Sequence, residues 1–599
     1  MAMDSGAAKV LKIVERLTDM AEKSGRADLA QRMAITKDRI IDPSARVVVV
    51  GRLSQGKSQL INALLNVPAC RVGDGETTEL ITVVNFGDEP TAHLVVADGD
   101  ATRRIEISID DVHRDFAHAP EAGGAEVVRL EISVPSPLLK QGLMLVDTPG
   151  TGGVGSVHAA AALGLLPGAN ALIICSDVSQ EFTAPEMTFI RQAIELCPKA
   201  FCATTKVDLY PYWRDVVAAD TAHLTRAEIP LVPKPLSSTL RAHAITLEDK
   251  ELNEESGYPE LLRFLSGEVL AHAQQDMQRG VRSAIASATQ HLSLTLSAEL
   301  TVLSDPAERE RIVAELDVAR REAKELSSRT ALWQQTLGDG ISDLSADADY
   351  DLRGRFRTIL KDFEQEVDDT DPSVIWADLT ERLQHRVSEA VGDNFIWIHR
   401  KSIDVASAVA ESFAQDGSVA IPEVALASVG GDLEPVDPLA GLEQAPSGFG
   451  HKIITGMRGS YGGMMMFGMI STLVGMSMIN PFSVLAGVAL GRKSYQEDRD
   501  MRLQRRRGEA KMAIRRLVDD VQFEAGRESR DRLRLIQRVL RDHFRAIADE
   551  TTRSLTESIA ATEKAAKAQV SERDTRCREL KQQLTFLTEA GNWARGGTE

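Results

Sequence analysis

Four consecutive valines, Val47 to Val50, run into Gly51-Arg52-Leu53-Ser54-Gln55-Gly56-Lys57-Ser58, and a helical pattern follows from Gln59 to Leu65. No other feature narrows the possible folds as much. An apolar strand, a glycine loop of the form G-x-x-x-x-G-K-[ST] and a helix in immediate succession imply an α/β layer in which the loop caps a sheet. The backbone N–H groups of such a loop point at phosphate oxygens, and the helix N-terminus adds partial positive charge. Lys57 is expected to reach the β and γ phosphates and the Ser58 hydroxyl to bind Mg²⁺. Gly51, Ser54, Gln55, Gly56 and Gln59 complete the expected contacts of this loop.

Two further elements follow in the order such a sheet requires. Leu145-Val146-Asp147-Thr148-Pro149-Gly150 ends an apolar strand in an acid that can hold Mg²⁺ through water, with Gly150 placed to meet a γ-phosphate. Ala200 to Thr204 then leads into Thr205-Lys206-Val207-Asp208, the [NT]-K-x-D pattern that reads guanine. Asp208 accepts hydrogen bonds from guanine N1 and N2, which adenine cannot supply, and an acid left without those donors is costly. Each motif sits at the carboxyl end of an expected strand, where ligands of open α/β sheets bind. Gly73 to Thr78 lies where a switch threonine belongs: Thr78, or alternatively Thr77, would place a hydroxyl on Mg²⁺ when the γ-phosphate is present. Ser237-Ser238, after Pro235-Leu236, is a candidate base-contacting loop. No glutamine follows Gly150; Thr151 stands there, so basal hydrolysis is expected to be slow. Ser54, Gln55, the switch threonine or another protomer would then complete the catalytic site.

The rest of the chain is organised around this domain. Its 599 residues suggest about four domain-sized units. The net charge of −19 argues against nucleic acid as a partner, and five scattered cysteines suggest reduced thiols rather than a disulfide framework. No apolar leader pattern occurs in the first thirty residues. The expected divisions are a helix over 5–41 within segment 1–42, an α/β domain over 43–265, helices over 266–415, a Gly/Pro-rich acidic connection over 416–450, an apolar tip over 451–495 and returning helices over 496–599. Val10, Ile13, Val14, Leu17 and Ala21 are spaced for a helix, and so are Ile312, Leu316, Ala319, Ala323 and Leu326. Leu533, Ile536, Leu540, Phe544 and Ile547 repeat the pattern far downstream, so the two distant segments are expected to share one bundle. Gly280 and Asp42-Pro43 are candidate hinges.

Gly462 to Gly491 is 30 residues without a charge, long enough to cross a bilayer whose core is ~30 Å thick. One crossing would separate residues 492–599 from the helices they should pack with. Basic residues flank both ends, including Lys452, Arg458, Arg492 and Lys493, which favours both ends on the cytoplasmic face. A hairpin turning at Asn480-Pro481 fits better, with Met464, Met465, Met466, Phe467, Met469, Ile470, Leu473, Ile479, Phe482 and Leu485 as its apolar surface. Seven of the sixteen methionines fall between Met457 and Met478, and such side chains suit an adaptable surface. Anionic head groups would be attracted to the basic flanks. The alternative is the same hairpin buried in the bundle.

With these motifs in place, the chain resembles the bacterial dynamin-like proteins: a G-x-x-S-x-G-K-S loop, D-T-P-G, T-K-x-D in place of N-K-x-D, and long helices broken by an apolar tip. The stretches GKSQLINALLN, SQEFTAPEM, DKELNEES and RGSYGG extend the resemblance over nearly the whole chain. The resemblance implies a P-loop GTPase domain with a mostly parallel sheet, joined to a helical neck and trunk with a membrane-interacting tip. It further implies nucleotide-dependent self-association through the GTPase domain, and phospholipid membrane, cytoplasmic side, as the partner that is remodelled. Lys57, Ser58, Asp147, Asp208 and Thr78 match family positions, and Ser54 matches the family's loop serine. Gln55 stands where relatives carry a basic residue, so charge compensation would pass to a monovalent cation or another side chain. A slow GTP-switched module that recruits a protein partner, with the hairpin buried, is the rival expectation.

Overall fold

The computed structural model describes residues 5–41, 45–72, 80–98, 101–112, 116, 120–123, 125, 127–149, 162–326, 332–416, 491–566 and 570–596. Thr77, Thr78, Gly150, the 417–450 connection and the apolar tip from 451 to 490 lie outside the described residues.

A nine-stranded sheet forms the first layer: β1 (Ala45–Gly51), β2 (Ile81–Phe86), β3 (Thr91–Asp98), β4 (Ala101–Ile107), β5 (Val127–Val134), β6 (Leu143–Asp147), β7 (Ala171–Asp177), β8 (Ala200–Thr205) and β9 (Pro233–Pro235). The spatial order is β4-β3-β5-β2-β6-β1-β7-β8-β9. From β6 through β1, β7 and β8 to β9 every pairing is parallel. Beyond β6 the sheet is mixed: β2 runs antiparallel to β6 and parallel to β5, and β3 is antiparallel to both of its neighbours. The valine run alternates faces, as a strand must, yet all four side chains are buried because both faces of the central sheet are covered. Val47 and Val49 pack towards α3 (Lys57–Leu65) and α8 (Tyr258–Arg263). Val48 and Val50 pack with Ile190 and Ala193 of α4 (Ala184–Leu196) and Leu224 of α5 (Trp213–Arg226). α6 (Ser238–Leu247) and α7 (Lys250–Glu255) bridge β9 to α8.

Helix α8 does not stop at the sheet. It widens into a π-helical stretch over Phe264–Leu270 and continues as α9 (Ala271–Ser304) without a turn. α9 runs as continuous α-helix through Gly280. The N-terminal segment is two helices rather than one: α1 (Ser5–Lys23) and α2 (Ala27–Ile41) meet at Gly25, whose φ of 74° reverses the chain. Val14, Leu17, Leu29 and Met33 of this hairpin pack with α9, α10 (Arg309–Leu326), the end of α13 (Gly491–Ala566) and α14 (Val570–Ala594). The stripe Ile312, Leu316, Ala319 and Ala323 lies in this core, which we call the neck.

The second bundle, the trunk, consists of α11 (Leu332–Asp369), α12 (Pro372–Asp416) and the first two-thirds of α13. α11 and α12 form an antiparallel pair across a short turn, with α13 alongside. Arg515 meets Glu364 and Lys511 meets Asp368 near the turn, while Trp333, Phe413 and Phe544 stack at the other end. The chain therefore leaves α12 at one end of the trunk and re-enters through α13 at the opposite end. A single apolar cluster contains Val48 and Ile190 of the sheet domain together with Phe356, Leu383, Val387 and Val518 of the trunk, so the α/β domain lies folded against the trunk.

Candidate nucleotide site

The phosphate loop is held by contacts on every side. Gly51 closes β1 where any side chain would collide: a Cβ there would lie 2.3 Å from the Cys175 carbonyl oxygen. Lys57 is 6% exposed, and its Nζ donates to the carbonyls of Gly51 at 3.0 Å and Arg52 at 2.8 Å, folding across the loop it serves. Burial pulls its pKa below the ordinary value, while the Asp147 carboxylate acts in the opposite sense. Ser58 Oγ donates to Asp147 Oδ2 at 2.6 Å, joining the first motif to the second. Asp147 is buried and its Oδ1 has no hydrogen-bond partner. Burial raises its pKa, against the pull of Ser58 and Lys57.

A buried carboxylate oxygen without a donor, next to a serine hydroxyl, fits a divalent cation. Ser58 and Asp147 are the described residues that would hold Mg²⁺. The ion would neutralise charge on the phosphates, and the two side chains would orient it. Among the described residues no cluster of three or more His, Cys, Asp or Glu offers another metal site.

The base-reading motif grips the loop from behind. Thr205 Oγ1 donates to the Gln55 carbonyl at 2.7 Å, and Lys206 Nζ donates to the Ser54 carbonyl at 2.5 Å and to Asp177 Oδ2 at 2.8 Å. Lys206 takes a φ of 61°, which turns the chain towards Asp208. Burial would raise the Asp177 pKa, but hydrogen bonds from Lys206 and Ser179 outweigh it and keep the acid ionised below the usual range. Asp208 is exposed and makes no hydrogen bond or ion pair among the described residues, as expected of a carboxylate open to a ligand. Ser54 and Gln59 are also exposed at the rim.

Three side chains stand differently from the expectation. Gln55 is 6% exposed and faces away from the phosphate space: its Oε1 accepts the Arg52 N–H at 2.6 Å, and its Nε2 donates to Glu186 Oε1 at 2.8 Å. Ser237 is fully buried and caps α6 by accepting the Leu240 N–H, while Ser238 Oγ pairs with the Tyr258 hydroxyl at 2.8 Å. The two serine side chains are thus taken up in holding the loop, which leaves backbone groups for a base. The DKELNEES stretch supports that same loop: Asp249 caps α7, Asn253 accepts from Arg241, and the Ser256 carbonyl accepts the Ser237 N–H.

Sequence reasoning passed over Glu186 and Asp177. Thr183-Ala184-Pro185-Glu186 carries a legible signal, since [ST]-x-x-E is a capping box, and both reciprocal bonds are present at the start of α4. That one oxygen of the box glutamate would reach back to the phosphate loop has no local signature. For Asp177 the only hint is its place at the end of a buried strand.

A sheet of this order, with a loop lysine, a serine–aspartate pair and a T-K-x-D reader at one edge, defines a P-loop domain of dynamin type, and residues 47–199 match the Dynamin family model. Over 587 residues the chain is 49% identical to the isoniazid-induced protein IniA of Mycobacterium tuberculosis (strain CDC 1551 / Oshkosh), covering 97% of this chain and 92% of that protein. The chain belongs to the IniA family of dynamin-like proteins. A chloroplastic protein of Arabidopsis thaliana described as a probable transmembrane GTPase, FZO-like, is 25% identical over 229 residues, 37% of this chain and 22% of its own. Among solved structures, a bacterial dynamin pair described as sensing and tethering membranes aligns with 98% of this chain and 82% of its own, at a TM-score of 0.38 and 13% identity.

Proposed function

We propose that the protein binds GTP with Mg²⁺, hydrolyses it slowly, and couples the cycle to self-association through its GTPase domain and to remodelling of the cytoplasmic membrane from its inner face. The observation that carries the nucleotide half is the convergence of Lys57, the Ser58–Asp147 pair and the Thr205-Lys206 clamp on one loop, with Asp208 left open beside it.

On binding, triphosphate oxygens compete with the Gly51 and Arg52 carbonyls for the Lys57 ammonium, and the N–H groups at the start of α3 donate to the phosphate oxygens. Asp208 selects guanine. Thr78 and Gly150 complete the γ-phosphate side in this reading. With Gln55 turned inward and no glutamine after Gly150, charge compensation in the transition state falls to a monovalent cation or to a side chain from a second protomer. Loss of K⁺ or Na⁺ dependence in turnover would argue against the cation. The membrane half rests on the uncharged run ending at Gly491 and on the basic residues that follow it, Arg492 and Lys493. Met465 and Phe467 within that run belong to the proposed lipid-facing tip. Among the described residues no helix is long and apolar enough to cross a membrane.

The docking of the α/β domain on the trunk favours one rival, a GTP-switched module that exposes its helices to a protein partner without deforming lipid. Turnover of GTP with and without anionic liposomes, with electron microscopy of the same liposomes, separates the two. Tubulation, tethering or fragmentation that requires GTP and fails in Lys57→Ala and Asp208→Asn supports remodelling. Turnover with liposomes neither bound nor deformed supports the rival.

A further inference from the structure

Gln55 has no free polar group left for chemistry. Its Oε1 closes on the Arg52 N–H at 2.6 Å, its Nε2 is given to Glu186 at 2.8 Å with Ser176 Oγ at 3.5 Å beyond, and its carbonyl takes the Thr205 hydroxyl. An ionised glutamate only accepts, so Glu186 dictates which end of the Gln55 amide faces it and thereby which end meets Arg52. The other Glu186 oxygen, Oε2, accepts the N–H and the hydroxyl of Thr183 at 2.8 and 2.6 Å, which fixes the carboxylate in place. The Arg52 guanidinium lies 3.9 Å from the same carboxylate. A phosphate loop stabilises developing charge only if its N–H groups are already aimed; Lys57, Thr205 and Lys206 hold carbonyls of this loop, and the Gln55–Glu186 bridge is the contact that holds the Arg52 N–H.

We propose that Glu186 is a positioning residue for the phosphate loop. It locks Gln55 inward as a brace, and it acts through Gln55 rather than by touching the nucleotide. Removal of the carboxylate leaves the Gln55 amide free to swing into the phosphate space and releases the Arg52 N–H, so the loop loses its preset shape. This inference rests on the nucleotide reading above.

The test is a cycle of variants read by GTP turnover and by affinity for a fluorescent non-hydrolysable GTP analogue. Glu186→Ala is expected to lower kcat about tenfold and to weaken analogue binding by a smaller factor, the scale of one charge-assisted hydrogen bond at a preorganised site. Thr183→Ala removes the helix cap while leaving Gln55 its partner, and it is expected to lower melting temperature with kcat within about twofold of wild type. Glu186→Gln keeps an oxygen for Gln55 and weakens the cap, so it should retain most turnover. In a Gln55→Ala background, Glu186→Ala should cost almost nothing more, because the two act as a unit. Equal losses in Thr183→Ala and Glu186→Ala, or a full Glu186 penalty persisting in the Gln55→Ala background, would overturn the brace. A wild type that binds the analogue but does not hydrolyse GTP refutes the hydrolysis reading, and the same cycle then tests the brace on affinity alone.

Discussion

Burial decides the behaviour of single side chains around the site. Asp220 of α5 is fully buried, accepts the Phe182 N–H on Oδ1 at 2.7 Å, and leaves Oδ2 without a partner. Burial pushes its pKa up to about 6, helped by Glu186 and Glu181 and opposed by the Phe182 N–H and His223. A carboxyl that holds its proton more tightly when folded costs stability as pH rises from its ordinary value of 3.8 through its folded one, so the penalty is absent below about pH 3 and complete above about 7. Asp220→Asn is therefore expected to melt higher than wild type at pH 8, to keep only part of that advantage at pH 5 and to lose it near pH 3, a comparison made by thermal denaturation across the three pH values. His291 in the neck shows the opposite sign. Burial and the cations Arg26 and Arg32 pull its pKa down to about 3, so it stays neutral while the unfolded chain titrates near its ordinary value. Acid below about pH 6.5 should thus loosen the neck. In His291→Gln the stability lost between pH 7 and pH 5 should shrink, as followed by urea denaturation; an unchanged pH dependence would count against this role for His291.

At the scale of elements, α4 matters most, since its start meets the phosphate loop and its middle meets the trunk. Gln192 is 5% exposed and donates to Asp393 Oδ1 at 2.8 Å and to the Glu389 carbonyl at 3.3 Å. It seats against Gly392, where a Cβ would lie 2.9 Å from the Gln192 amide atoms. Arg400 and Glu195 pair at 2.6 Å at the edge of this contact, an exposed bridge worth about 0–1 kcal/mol by itself. A wedge at Gly392→Leu is expected to unseat α4 and let the domain swing from the trunk, raising the radius of gyration in solution scattering without lowering helix content. At the far end of the trunk, Trp333 is fully buried between Phe413 and Phe544, with ring centroids 5.8 and 5.7 Å away. Trp333→Ala should cost about 3–5 kcal/mol, measured by chemical denaturation. The helical stripes were legible in the sequence because apolar spacing alone specifies which face is buried, and the three nucleotide motifs were legible because each is contiguous. The brace at Glu186, the seat at Gly392 and the reversal at Gly25 were not. The first two depend on residues more than a hundred positions apart, and a lone glycine between polar neighbours looks the same in a helix as in a turn.

Over the whole molecule, the sheet domain, neck and trunk are tied together by α13, which begins at Gly491, runs the length of the trunk and ends in the neck beside His291. Salt bridges from Arg506, Lys511, Arg515 and Arg530 to acids of the α11–α12 pair line its trunk portion. The sheet domain joins the neck through a continuous helical path, with the π-helical stretch over Phe264–Leu270 as its irregular point, and such stretches are common where function demands an adjustable turn. Between Ser554, which bonds His291 in the neck, and Gly491 the helix measures about 95 Å at its regular rise. A rod of that reach multiplies small angles: a tilt of about 10° at the neck would carry the Gly491 end through roughly 16 Å, half the thickness of a bilayer core. Because the α/β domain is packed against the trunk portion of this rod, such a tilt would either carry that domain along or require its seat at Gly392 to open first.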